Sequence, residues 1–449
     1  MTCAQEAAIG KNRYSKGDNM QNTINDAYVR IIHDELVAAM GCTEPIAIAY
    51  CAAKAVQVLG TRPERLYVAV SGNIIKNVKG VVVPNSGGRK GIAAAAVLGA
   101  IGGDPSRGLE VIAGVTREAR ELTATLLDKR TFCLCSVLES PDNLHIVVTA
   151  EAEGHSATVE IRGEHTRIVR IQRDGETIFS DAAKQPHDAA PEDELIKLKE
   201  TLSVEGILAF ADTVDLELVR APLEAQIISN TRIAMEGLKN DYGVRVGKTL
   251  LHRAQEDDVT MRARAAAAAG SDARMSGCAL PVVINSGSGN QGITVSMPVI
   301  EYARDMNASH DKLLRALIVS NLISIHQKRF LGSLSAYCGA TSAACGAVCG
   351  VAYLCGYGYN AIANTITNTI ANIGGMVCDG AKPSCAAKIA SALDAAFMAF
   401  DLQQNGDVFA PGEGLVQADV EKTIRAVGQM GREGMKATDS EILDIMMGE

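Results

Sequence analysis

Residues 23–40 place Tyr28, Ile31, Ile32 and Leu36 at helical spacing on a polar background, with Gly41 as the stop. This spacing predicts an amphipathic helix over 23–40. After the turn CTEP the apolar positions resume from Ile46 to Leu59 and end at Gly60 and Pro63, so Cys42 falls in a short turn between two helices. From Arg65 the period changes. RLYVAVSG and GVVVPNSGG read as strands and GIAAAAVLGAIGG as a helix. Residues 156–162 then alternate Ala157, Val159 and Ile161 against Thr158, Glu160 and Arg162, the period of a half-buried strand. TRIVRIQ follows the polar turn GEH as its hairpin partner, and RDGETIFSDAAKQPHDAAPEDE is a polar connector. From EDELIKLKETLSVEGILAFA onward helical spacing dominates, interrupted over 271–298 by a segment rich in Gly, Ser and Asn.

These patterns predict an α+β fold. A mainly helical domain would span 23–60 and 200–449, with a smaller α+β domain and its connector inserted over 61–199. Residues 1–22, polar and mixed in charge, read as a disordered extension. No long-period repeat is evident.

Composition narrows the class. With 47% apolar and 21% charged residues the chain reads as soluble and globular, and its net charge of -9 argues against a nucleic-acid partner. Small molecules are the expected ligands. Aromatics reach only 4% and Trp is absent, so small side chains must carry the close packing. Twelve cysteines in a chain with no signal peptide before residue 25 point to reducing cytoplasm rather than a disulfide framework. Residues 336–356 carry no charge, yet small residues dominate them and no second such span accompanies them. They read as a buried helix, not a membrane crossing.

The candidate chemistry lies in cysteines and polar loops. Cys338, Cys345 and Cys349 are offset by seven and eleven residues, one helix face, and helical rise would separate the first two by roughly 10 Å. One of the set, not all, can ligate a compact metal group. Cys378 and Cys385 bracket CDGAKPSC, where Asp379, Gly380, Lys382 and Pro383 interrupt a helix. This C-x6-C spacing matches no common zinc signature, and a pair of buried thiols is the alternative. Cys42 precedes a helix starting near Pro45, whose positive end would lower its thiol and favour a thiolate base. Glu44 is either a catalytic acid or a helix-start acid. NSGSGNQG offers backbone N–H groups with Ser286, Ser288, Asn290 and Gln291 as a cradle for a carboxylate, and Arg274 in SDARM adds a charge-assisted fork. SGNIIKNVKG sets Asn73, Lys76 and Asn77 between strand-like runs, a substrate-facing edge with Lys76 as a candidate base.

Gly287, Gly289 and Gly292 spell G-x-G-x-x-G, the sign of a nicotinamide-dependent oxidoreductase, but ITVSMPVI follows where a dinucleotide fold requires a helix start. PNSGGRKG lacks the ending of a nucleotide P-loop.

Taken together and in order, GCTEPIAIA, SGNIIKNVKG, SDARM, NSGSGNQGI and CDGAKPSC resemble the L-cysteine desulfidase family, itself related to the α chain of iron-sulfur L-serine dehydratases. The resemblance covers nearly the whole chain after residue 23. It implies a [4Fe-4S] cluster held by Cys338, Cys378 and Cys385, with Cys42 as a catalytic thiol or an alternative ligand. Three thiolates leave one iron open as a Lewis acid. The implied reaction turns L-cysteine and water into pyruvate, ammonia and hydrogen sulfide. L-serine dehydration is the close alternative, and a redox sensor is the non-enzyme one. The implied partner is a small amino acid, with neither nucleic acid nor membrane, and a homo-oligomer is compatible with the sequence.

Overall fold

The computed structural model describes residues 16–181, 191–255, 257–332 and 334–448. The chain opens with α1 (Lys16–Glu35), β1 (Ala38–Met40), α2 (Thr43–Leu59), β2 (Arg65–Val70), α3 (Gly72–Val78), α4 (Ile92–Gly102) and α5 (Arg117–Asp128). Five strands follow: β3 (Cys133–Val137), β4 (His145–Ala152), β5 (His155–Arg162), β6 (Ile168–Arg173) and β7 (Glu176–Ser180). Next come α6 (Pro191–Glu200), α7 (Val204–Thr213), α8 (Arg220–Lys239), α9 (Val246–Leu251), α10 (Val259–Met275) and β8 (Pro281–Val283). The remainder is helical: α11 (Gly289–Asp305), α12 (His310–Leu331), α13 (Gly339–Leu354), α14 (Tyr359–Asn372), α15 (Cys385–Gln404), α16 (Val420–Gln429) and α17 (Lys436–Met447).

The fold is α+β and mainly helical, as expected. Its mixed sheet runs β3-β2-β4-β5-β6-β7, parallel between β2 and β3 and antiparallel elsewhere. Alternation sets its buried face: Leu66, Val68 and Val70 of β2 sit beside Ile146, Val148 and Ala150 of β4, all within 1% of full burial. α2 closes this core with Ile46, Ile48 and Ala52, so the helix grouped by sequence with the helical part packs on the sheet instead. A separate, larger core joins α1 and α7 to the later helices.

Several boundaries differ from the expectation. α1 begins at Lys16, inside the stretch expected to be disordered, and residues 1–15 lie outside the described residues. It also ends at Glu35, because Ala38–Met40 are extended and pair antiparallel with Pro281–Val283. A three-residue strand leaves no periodic signal, and its partner lies far off in sequence. Residues 80–88 form an irregular loop with one isolated bridge, Val82 to Lys90, instead of a strand. Val81 and Val83 are buried there, but Pro84 and positive-φ Gly87 and Gly88 break any ladder. β7 occupies the first part of the polar connector. Asn73, Lys76 and Asn77 lie on α3, too short a helix to show its period. SDARM belongs to the end of α10, and Pro298 sits buried inside α11, where packing outweighs its ordinary cost of about 3 kcal/mol. The uncharged stretch 336–356 becomes α13, and among the described residues no helix is long and apolar enough to cross a membrane.

Buried polar bonds tie the helical part together. His326 of α12 donates from Nε2 to Glu421 Oε2 at 2.7 Å, and its Nδ1 accepts from Arg329 Nε at 3.2 Å. Glu421 Oε1 accepts from the N–H of Val204 at 2.8 Å, joining α16 to α7. Since Nδ1 must accept, this arrangement requires a neutral ring. Burial accordingly pushes His326 below its ordinary 6.5, although Glu421 pulls the other way. The unfolded chain then binds more protons as pH falls through 6.5, so the stability from this site is complete above 6.5 and lost below it. The Tm difference between wild type and His326→Gln is expected to be largest at pH 7.5 and to shrink toward pH 5.5, as followed by thermal melts.

Candidate active site

Four helices begin at one cavity of about 980 Å³: α2 at Cys42, Thr43 and Glu44, α11 at Ser288, Asn290 and Gln291, α13 at Cys338, Gly339 and Ala340, and α15 at Cys385. Each start brings the positive end of a helix dipole, although at α15 the N–H groups of Cys385 and Ala386 already donate to the carbonyls of Lys382 and Pro383. Arg274 from the end of α10 adds a buried cation. These helix ends and Arg274 favour anionic contents beside them, while Glu35, Glu44 and Glu164 put carboxylates on the same lining. Long-range contacts fix the convergence. Thr43 Oγ1 donates to the carbonyl of Gly287 at 3.0 Å, joining the GCTEP and NSGSG segments.

The three cysteines come to this cavity by different routes. Cys338 N–H donates to Met376 O at 2.8 Å and Cys378 N–H to Ala336 O at 2.6 Å, around a bridge between Tyr337 and Val377. This short ladder sets Cys338 and Cys378 side by side. Cys385 is the first residue of α15. Between them Gly380 has φ 90°, and a Cβ there would overlap the carbonyl of Lys76, so only glycine fits the loop against α3. Burial raises the Asp379 carboxyl, but bonds from Lys382 and Lys388 outweigh it and bring it down to about 2, which staples the loop to α15. A hydrogen bond from Cys338 lowers Cys378 to about 6 against the effect of burial, helped by Lys76 and Lys328, while that bond and burial raise Cys338. Cys345 and Cys349 are packed into the core further along α13.

Cys42 Sγ donates to Glu44 Oε2 at 2.9 Å, and both residues are buried. Burial and the charge of Glu44 push the thiol well above its ordinary value, the reverse of what the helix start suggested. Arg274 Nη1 donates to Asn290 Oδ1 at 3.1 Å. Ser288 Oγ caps α11 by accepting from Gln291 N–H, and Ser286 Oγ donates to Asn285 at 3.0 Å. Gly289 and Gly339 leave the space: a Cβ on the first would overlap Arg274 Nε, and on the second the Gln291 amide. Cys42, Glu44, Asn77, Arg274, Ser286, Ser288, Asn290, Gln291, Cys338, Cys378 and Cys385 all line the cavity, whereas Asn73 and Lys76 do not. Asn73 instead bonds Asn143 at 2.8 Å, and buried Lys76 pairs with Asp439. The G-x-G-x-x-G does open a helix, α11, contrary to expectation. Its preceding strand β8 nonetheless pairs antiparallel in a two-stranded sheet, so the parallel βαβ unit of a dinucleotide fold is missing there.

Residues 106–444 match the family described as serine dehydratase alpha chain. The chain belongs to the serine dehydratase alpha chain family. It is also 51% identical over 419 residues to a UPF0597 protein of Lachnoclostridium phytofermentans, covering 93% of this chain and 99% of that one. A UPF0597 protein of Desulfitobacterium hafniense is 47% identical over 429 residues (96% and 98% of the two chains), and one of Treponema denticola 44% over 433 residues (96% and 99%). Those relatives' names carry no activity.

In this serine dehydratase family chain the cavity also holds two residues that sequence reasoning passed over. His165 lies in the GEH turn, which looked like nothing more than a hairpin connection, and its Nε2 is buried with no partner among the described residues. Burial lowers its pKa, Glu44 pulls it up and Arg274 lowers it again. Lys328 lies in the last turn of α12. It is desolvated beside Cys378 and Cys338, and its pKa falls. No pattern in the sequence marks either one, because both are defined by neighbours distant along the chain.

Asp439 of α17 holds the wall in register. It pairs with Lys76 through Oδ1 and accepts from the N–H of Ala336 through Oδ2 at 3.0 Å, two residues before Cys338. Lys76 is only 1% exposed, so Asp439→Ala leaves a buried ammonium unpaired. The expected loss is about 3 kcal/mol in urea unfolding, against less than about 1 kcal/mol for Lys436→Ala in an exposed pair with Glu433.

Proposed function

We propose that this protein is a serine dehydratase-like lyase that carries out β-elimination on a small α-amino acid, with L-cysteine as the substrate. One observation carries the reading: the cavity that gathers three thiols also contains a buried donor, Arg274 Nε, and a buried acceptor, Gln291 Oε1, each without a partner among the described residues. The carboxylate and ammonium of an amino acid are the groups that complement this guanidinium and amide at the cavity.

The donor set fits an iron-sulfur cluster. Among the described residues no three His, Cys, Asp or Glu side chains converge as one metal ion would require. Cys338, Cys378 and Cys385 all line one cavity, with Cys338 and Cys378 set side by side by their backbone ladder. Three thiols at one cavity are the donor set that such a cluster takes. Four helix starts and Lys328 supply positive potential for such an anionic group. When bound by these three cysteines, a [4Fe-4S] cluster supplies a Lewis-acidic iron for the leaving group or carboxylate.

The chain's own residues handle the rest of the substrate. Arg274 holds the carboxylate, assisted by the N-terminus of α11. Glu44 and Gln291 receive the ammonium. Cys42 directs its hydrogen to Glu44 Oε2 at 2.9 Å and so fixes that carboxylate in place, while the Thr43 hydroxyl is committed to the Gly287 carbonyl. With its pKa raised, Cys42 acts as this donor in the resting protein and not as a standing thiolate base. L-serine is the second reading, favoured by the family match. Thiol and hydroxyl leaving groups place similar demands on an open iron, so the assay decides.

Anaerobically reconstituted protein is expected to release sulfide and pyruvate from L-cysteine with higher kcat/KM than it releases pyruvate from L-serine. Higher efficiency on serine reverses the substrate assignment. Cys378→Ser is expected to lose both iron and turnover, and full activity in an iron-free variant would refute the mechanism. Arg274→Gln should lower kcat/KM for cysteine about 10- to 100-fold, mostly through KM, as removal of a charge-assisted bond predicts.

A further inference from the structure

Three residues that line the cavity each carry a buried polar atom without a partner among the described residues: Arg274 Nε, Gln291 Oε1 and His165 Nε2. The first two match the charged ends of an amino acid. The third belongs to a group that takes and gives protons near neutral pH. Its surroundings distinguish it from the other titratable groups. Cys42 Sγ and Glu44 Oε2 are bonded to each other, Lys328 Nζ donates to Gly332 O at 2.7 Å, and Lys388 Nζ donates to Val377 O at 2.7 Å.

The position of His165 is built into the chain. Residues 163–167, the loop between β5 and β6, line the cavity beside the start of α11. The imidazole lies over Gly287, where a Cβ would stand 3.4 Å from Cε1, so the small residue of the NSGSG turn leaves it room. Glu44 and Arg274, the groups assigned to the substrate's ammonium and carboxylate, both act on its ring. The α-carbon of a bound amino acid lies between its ammonium and carboxylate, which brings its hydrogen to this part of the wall.

We propose that His165 is the base that removes the α-proton, a role that rests on the β-elimination proposed above. The lone pair of Nε2 takes the proton, and the C–H electron pair becomes the Cα–Cβ double bond. The Cβ–S bond breaks with its pair on sulfur, and the imidazolium returns its proton to the departing hydrosulfide as hydrogen sulfide. Aminoacrylate remains, which tautomerises and takes up water to give pyruvate and ammonia. No oxidant or reductant is needed.

The test uses full-length protein reconstituted anaerobically, as wild type, His165→Gln and His165→Asn, with rates expressed per bound iron. Readouts are kcat, KM and the isotope effect on kcat with α-deuterated L-cysteine. Both variants are expected to lose about 100-fold or more in kcat, to keep KM within about threefold, and to show a larger isotope effect as proton removal becomes limiting. A kcat within about threefold of wild type, an unchanged isotope effect, or a loss carried by KM alone overturns the role while the elimination stands. Wild-type protein that eliminates from neither cysteine nor serine removes the reaction and this role with it.

Discussion

Four helix starts at one cavity favour negative groups between them, because each carries about half a positive charge at its N-terminal end. In this protein α2, α11, α13 and α15 meet in that way, and Arg274 and Lys328 add to the field. The fold gathers these positive groups at one cavity although the chain as a whole carries a net charge of -9. Thiolates, a carboxylate and the acid Glu44 are the groups such a place accepts. The chemistry proposed for the site joins this electrostatic preference to the unpartnered atoms of Arg274 and Gln291.

Holding four helix ends together takes anchors from every part of the chain. Asp439 of the last helix reaches Lys76 of α3 and the backbone beside Cys338. Thr43 joins the start of α2 to Gly287, and β1 pairs with β8 across more than half of the sequence. The sheet reaches the same cavity through the β5–β6 loop and His165. Close approach depends on missing side chains: Gly289, Gly339 and Gly380 stand where a Cβ would displace Arg274, Gln291 or the Lys76 carbonyl. The shortage of aromatics and abundance of glycine seen in the composition thus have a structural use at the site itself.

Much of the architecture was visible from periodicity. The alternation over 156–162 became β5, the hairpin partner became β6, and the long apolar patterns became helices. Short elements escaped, since β1 and α3 carry too few residues to show a period and exist because a distant segment pairs or packs with them. The Pro298 segment misled because its β-branched residues and proline oppose a helix locally, while burial within α11 decides otherwise.

The sequence by itself determined which motifs hold chemically capable residues, including the cysteine loop, the Gly-rich turn and GCTEP, because spacing and residue type suffice for that. Tertiary structure alone decided which of these share a cavity. It brought Cys338 beside Cys378, removed Asn73 and Lys76 from the wall, and introduced His165 and Lys328. It also reversed the expected direction for Cys42, whose thiol is raised by burial and by Glu44. Desolvation and the charge of neighbours depend on what surrounds a group in space, and one-dimensional order does not carry that information.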